Sequence, residues 1–126
     1  MSDIKRIGAP QVGASLPFSR AVQADGWLYV SGQVAAKDGE ILSGGITQQA
    51  HQAIKNMLAI VEEADYSKED IVRCGVWLDD PRDFGAFNQV YAQYFGGAHA
   101  PARACVQALL MVDCKVEIDC VCYKSE

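Results

Sequence analysis

Residues 46–64 carry an apolar stripe at helical spacing, and that stripe restricts the fold more than any other feature. Ala50, Ala53, Ile54, Met57, Leu58 and Val61 recur every three or four positions, while Gln48, Gln49, Gln52, Lys55, Glu62 and Glu63 point away. A helix apolar on one side must bury that side against another element. Asp65-Tyr66-Ser67 ends it without a glycine. A second helix starts at Asp80-Pro81-Arg82-Asp83, because Asp80 can cap and Pro81 suits the first helical position. Phe84, Phe87, Tyr91 and Phe95 form its expected buried stripe, and Gly96-Gly97 stops it.

The segments around these helices read as strands. Ala24-Asp25-Gly26 lies between Ser19–Val22 and Trp27–Val34, and Asp-Gly between apolar runs signals a hairpin, since both residues tolerate positive φ. Trp27-Leu28-Tyr29-Val30 is apolar on both faces, as in a central strand. Gly32, in Ser31-Gly32-Gln33, marks either a simple bend or a bulge where a ligand nears the backbone. Lys37–Gly45 reads as a Gly-rich turn. Val72–Leu78 reads as a strand with Val72, Cys74, Val76 and Leu78 on one face. The order β-hairpin, β, α, β, α, β, β predicts an α+β fold, a mixed sheet with two helices on one face. The other face, expected to bear Tyr29, Trp77 and Arg103, stays partly apolar and is expected to meet another subunit.

With 126 residues, half of them apolar, the chain suits one domain spanning 1–126. Its formal net charge of −5, from 11 basic and 16 acidic residues, argues against a nucleic-acid partner, which needs a basic patch. No apolar run has the length of a signal peptide or a membrane span, so the expected location is cytoplasmic, with no membrane partner. Five cysteines without a secretory signal fit reduced thiols, and Cys74, Cys120 and Cys122 fall on apolar strand faces. The Cys120-x-Cys122 spacing is not a zinc knuckle, so no metal is expected. His51, within the predicted helix, and His99, in a Gly/Ala/Pro loop, read as satisfied or solvated histidines.

Two segments carry the candidate chemistry. In Pro101-Ala102-Arg103-Ala104-Cys105-Val106 an arginine sits within a small, apolar strand. Alternation puts Arg103, Cys105 and Gln107 on one face, with Ala102, Ala104, Val106 and Ala108 on the other, which is free to pack on a core. A guanidinium is a planar fork that matches a carboxylate or phosphate. In Lys115–Tyr123 the apolar face is Val116, Ile118, Cys120 and Cys122, and Glu117 lies opposite, beside Arg103 if the two strands pair. The ordinary alternatives are a solvated or salt-bridged Arg103, with Glu117 as an exposed partner of Lys115 or Arg103. Cys105 reads either as a thiol activated by the neighbouring guanidinium or as a passive lining residue.

The chain resembles the RidA (YjgF/YER057c/UK114) family of enamine/imine deaminases over nearly its whole length. The resemblance rests on the order and spacing of Leu16–Val22, Val30-Ser31-Gly32-Gln33, Asp83-Phe84 with Asn88–Tyr91, Pro101–Val106 and Val116-Glu117-Ile118. It implies a chorismate-mutase-like fold and a homotrimer with clefts between subunits. It also implies hydrolysis of reactive 2-imino or 2-aminoacrylate-type acids to 2-keto acids and ammonia, without metal or organic cofactor. In that resemblance Arg103 matches the arginine that binds the substrate carboxylate, and Glu117 the glutamate that positions or activates water. Gly32 and Cys105 match backbone positions lining the pocket, and Asn88 an asparagine near it. Phe18 stands where the family usually has tyrosine, so no contact or proton relay through that hydroxyl is available to this chain. Alternatives from other classes are a non-catalytic small-carboxylate binder or sensor, a redox-activated holdase, and a ribonuclease, the last opposed by the acidity.

Overall fold

The computed structural model describes residues 3–13 and 16–125. Strands β1 (Lys5–Ile7), β2 (Ala21–Ala24) and β3 (Trp27–Gln33) lead to a small hairpin, β4 (Ala36–Lys37) and β5 (Glu40–Ile41). Helix α1 (Ile46–Glu63), strand β6 (Ile71–Leu78), helix α2 (Phe84–Phe95) and strands β7 (Ala102–Gln107) and β8 (Val116–Tyr123) follow. The main sheet runs β1-β2-β3-β8-β6-β7. All its pairings are antiparallel except β6 with β7, whose parallel pairing needs the crossover that α2 supplies. Both helices pack on one face, against Leu28, Val30, Cys74, Val76, Val116, Ile118, Cys120 and Cys122.

Local chemistry explains most boundaries. Asp25 and Gly26 both adopt positive φ, 52° and 85°, so β2 and β3 join through a two-residue turn. The segment expected as a Gly-rich turn holds the β4–β5 hairpin, turned by Asp38 and Gly39 in the same way. Helix α1 closes with Asp65 at φ 65°; its N–H reaches Glu62 O and that of Tyr66 reaches Val61 O. The Asp80 carboxylate caps the 3₁₀ turn Pro81–Asp83 that precedes α2 by accepting from the Arg82 N–H at 2.9 Å.

Three expected faces change. An extra residue in β6 between Ile71 and Arg73 shifts its register on β8, turning Ile71 inward and leaving Val72 41% exposed. Gln49 is buried rather than solvent-facing: its amide donates to Leu42 O at 3.2 Å and accepts from the Lys115 N–H at 2.9 Å. Phe84 leaves the buried stripe of α2 and stands 46% exposed near the helix start.

Candidate active site

Strand β7 pairs with β6 in the register Cys74↔Arg103 and Val76↔Cys105. Cys74 and Val76 lie under the helices, so Arg103 and Cys105 point to that same side. The expected orientation is therefore reversed. Ala102, Ala104 and Val106 lie on the open face, away from the core, and Arg103 does not share a face with Tyr29 and Trp77. The physical reason lies on α2. The Arg103 guanidinium carbon sits 4.7 Å from the Tyr91 ring centroid, 5.7 Å from Phe84 and 5.8 Å from Phe87. A weakly hydrated planar cation rests well on aromatic faces, and its stem covers apolar surface on the way. Arg103 makes no hydrogen bond or ion pair among the described residues. Its N–H fork is therefore uncommitted while its position is fixed.

Asn88 lies one turn beyond Phe84 and one turn before Tyr91, on the side of α2 that carries the Arg103 cradle. Cys105 is half-buried. Burial pushes its thiol above the ordinary range and Arg103 pulls it back only in part, which opposes the activated-thiol reading.

Glu117 lies elsewhere. Strand β6 separates β7 from β8, and Glu117 pairs with Trp77 on the open face, so Arg103 and Glu117 of one chain are on opposite sides of the sheet. They are not neighbours across paired strands, as the sequence allowed. Glu117 is raised above the usual carboxylate range, chiefly by burial and then by Asp119, two residues along on the same face. Asp119 is itself raised by burial, although its carboxylate accepts from the Gly75 N–H at 3.0 Å. Gly32 sits in a bulge between the pairs Val30↔Cys120 and Gln33↔Ile118. A Cβ there would come within 2.1 Å of Glu117 Oε2, so the bulge is where the carboxylate lies against bare backbone. Ser31 donates to Ser19 O at 2.6 Å, which brings the Phe18 segment alongside Gly32; Phe18 is exposed.

The structure thus divides the candidate residues into two groups. Asn88, Arg103 and Cys105 lie at the α2–β7 edge; Gly32 and Glu117 meet at the β3–β8 bulge, and Phe18 precedes Ser19, whose carbonyl is tied to Ser31. Sequence reasoning missed the cradle of Phe84, Phe87 and Tyr91. Their helical spacing was the signal, and it is equally the signal of an ordinary core stripe. Among the described residues no group of three or more His, Cys, Asp or Glu side chains converges as a metal site. None of the described helices is long and apolar enough to cross a membrane.

This arrangement defines an α+β class in which an uncommitted cation and a half-buried glutamate occupy opposite faces of one mixed sheet. Residues 9–124 match the family model described as Endoribonuclease L-PSP, and the chain belongs to that family, the YjgF/RidA family. A RutC family protein of Pyrococcus horikoshii is 40% identical over 112 residues, 86% of this chain and 88% of the relative. The mouse protein named 2-iminobutanoate/2-iminopropanoate deaminase is 40% identical over 112 residues, 86% of this chain and 82% of its own. Among solved structures, yeast Mmf1 matches with a TM-score of 0.87 at 32% identity, covering 98% of this chain and 100% of that one. Escherichia coli TdcF with bound serine matches at 0.83 and 35%, covering 96% and 100%.

Proposed function

We propose that this protein hydrolyses 2-imino acids, and the enamines that tautomerise to them, to 2-keto acids and ammonia. The observation that carries the reading is the Arg103 guanidinium, held on three aromatic faces with no acidic partner among the described residues. Its fork binds the substrate carboxylate and fixes the neighbouring C=N carbon. Glu117 accepts a proton from water as the oxygen adds to that carbon and returns it to the nitrogen; the resulting carbinolamine passes its hydroxyl proton to the amine as the C–N bond breaks, so that ammonia leaves and the 2-keto acid remains. Orientation supplies up to roughly 7–11 kcal/mol in the best cases and a general base ~10²–10⁴-fold. An imine that already hydrolyses unaided needs less. The name carried by the mouse relative supports the same chemistry.

Arg103 and Glu117 lie on opposite faces of one chain, so the proposed site joins the Arg103 group of one copy to the Glu117 group of another. The open face suits such contact: Trp27, Tyr29, Val106 and Tyr123 are exposed there. We propose a homotrimer with one site at each junction.

The decisive assay measures keto-acid release from 2-iminobutanoate generated by an amino-acid oxidase. Wild type accelerates release, and Arg103→Ala lowers kcat/KM by at least about 100-fold with unchanged circular dichroism. Equal activity of the variant would sink the reading. Phe18, which lacks the hydroxyl, and the serine bound to TdcF favour a second reading, a binder that holds small carboxylates without turnover. Saturable 2-ketobutyrate binding without imine hydrolysis selects it. The holdase reading gains nothing from the thiols: four of the five are buried, and burial pushes Cys74 up to about 11. A net charge of −5 gives little footing for RNA.

A further inference from the structure

Beside the Arg103 cradle lies a hollow of about 220 Å³ lined by Leu78, Pro81, Phe84, Cys105, Val106 and Gln107. Its lining is mostly apolar. The polar end of Gln107 is committed elsewhere, donating to Asp79 O at 3.1 Å. Phe84 belongs to both places: its ring meets the guanidinium at 5.7 Å and walls the hollow. That double contact accounts for an aromatic ring left half-exposed at a helix start. Cys105 follows Arg103 by two residues on the same strand face, a rise of roughly 6.6 Å, which is within the reach of an amino-acid side chain. A ligand whose carboxylate lies on Arg103 would therefore lay its side chain across Phe84 into the hollow.

We propose that the hollow is the side-chain pocket of the site, and that it makes this chain selective for 2-imino acids with apolar side chains of leucine to phenylalanine size. The inference rests on the deaminase reading above. The volume argues the size. At about 30 Å³ per water, the space equals roughly seven water-sized groups, far more than the single methyl of 2-iminopropanoate fills. The charge argues the orientation, because the Arg103 cation rests on the Phe84 ring that walls the hollow, so the acidic end of the ligand stays outside and the apolar end enters.

The test is a substrate series. An amino-acid oxidase of broad specificity generates imines from alanine, 2-aminobutyrate, norvaline, leucine, methionine and phenylalanine, and keto-acid release is compared with the uncatalysed rate. Expected is a rise in kcat/KM of about fourfold per buried methylene, and tenfold or more from the alanine-derived to the leucine-derived imine. Pro81→Trp, which narrows the mouth, should compress that span to within about threefold. Acceleration of every imine with no dependence on side chain overturns the pocket and leaves the deaminase reading standing; that is the result if a second copy fills the hollow. If no imine is accelerated, calorimetry with the matching 2-keto acids reads the hollow directly. Affinities that climb along the series support it, and equal affinities overturn it.

Discussion

A guanidinium without a carboxylate partner is usually a solvated surface group; Arg103 is instead fixed by three rings, which leaves its hydrogen-bond donors unspent. Gly32 has a complementary part on the other group. The clash that a Cβ would make falls on the carboxylate end of Glu117, a side chain that can swing away. Gly32→Ala should therefore cost less than about 1 kcal/mol in urea denaturation yet lower kcat/KM roughly 10- to 100-fold by displacing the proposed base. Loss of stability with full activity would refute this role. Glu117 also sets a pH dependence. Its proton is held more tightly than in an ordinary glutamate, because burial and Asp119 both oppose the charge. A base works only when ionised, so kcat/KM should fall as pH drops through a value above the ordinary carboxylate range, and Glu117→Gln should remove that limb. The same shift sets a stability trend. The folded state binds the proton better than the unfolded one, so stability declines as pH rises from the ordinary value through the raised one. Glu117→Gln should raise the melting temperature near neutral pH, and the difference should vanish below about pH 4.

Among the elements, α1 is tied to the sheet by more than its apolar stripe. Gln49 faces inward because two backbone groups, Leu42 O and the Lys115 N–H, have nowhere else to bond. Gln49→Ala should destabilise the fold by about 1–3 kcal/mol, read from the urea midpoint at constant slope. A change under about 0.5 kcal/mol would show that water replaces the amide there. Strand β6 shows how a single inserted residue governs what a strand presents: beyond the bulge its parity returns, and Cys74, Val76 and Leu78 enter the core.

The whole molecule poses the geometric question the residues cannot. One sheet separates Arg103 from Glu117, so the proposed site needs two copies. This predicts complementation. Arg103→Ala and Glu117→Gln, each inactive alone, should regain up to about one quarter of wild-type activity when co-refolded in equal amounts, since one junction in four then joins two intact halves. Activity that stays at the level of the separate variants would mean that each chain builds its site alone. The readout differs from that of a simple folding defect, because both variants are expected to fold and assemble, neither melting below wild type.

The helices, the Asp25-Gly26 hairpin, the inward face of β8 and the α+β class were legible in the sequence, because periodicity and turn chemistry are local properties. The candidate residues were also legible, through the spacing of short segments that resemble a family. Which face Arg103 takes was not. Alternation shows that Arg103 and Ala104 point oppositely, but only the parallel register of β7 on β6 and the aromatic side of α2 decide which of them meets the helices. The partition of the site was hidden for the same reason: strand order and register are long-range choices; β6 lies between β7 and β8, and the pairings Cys74↔Arg103 and Trp77↔Glu117 put the two residues on opposite faces.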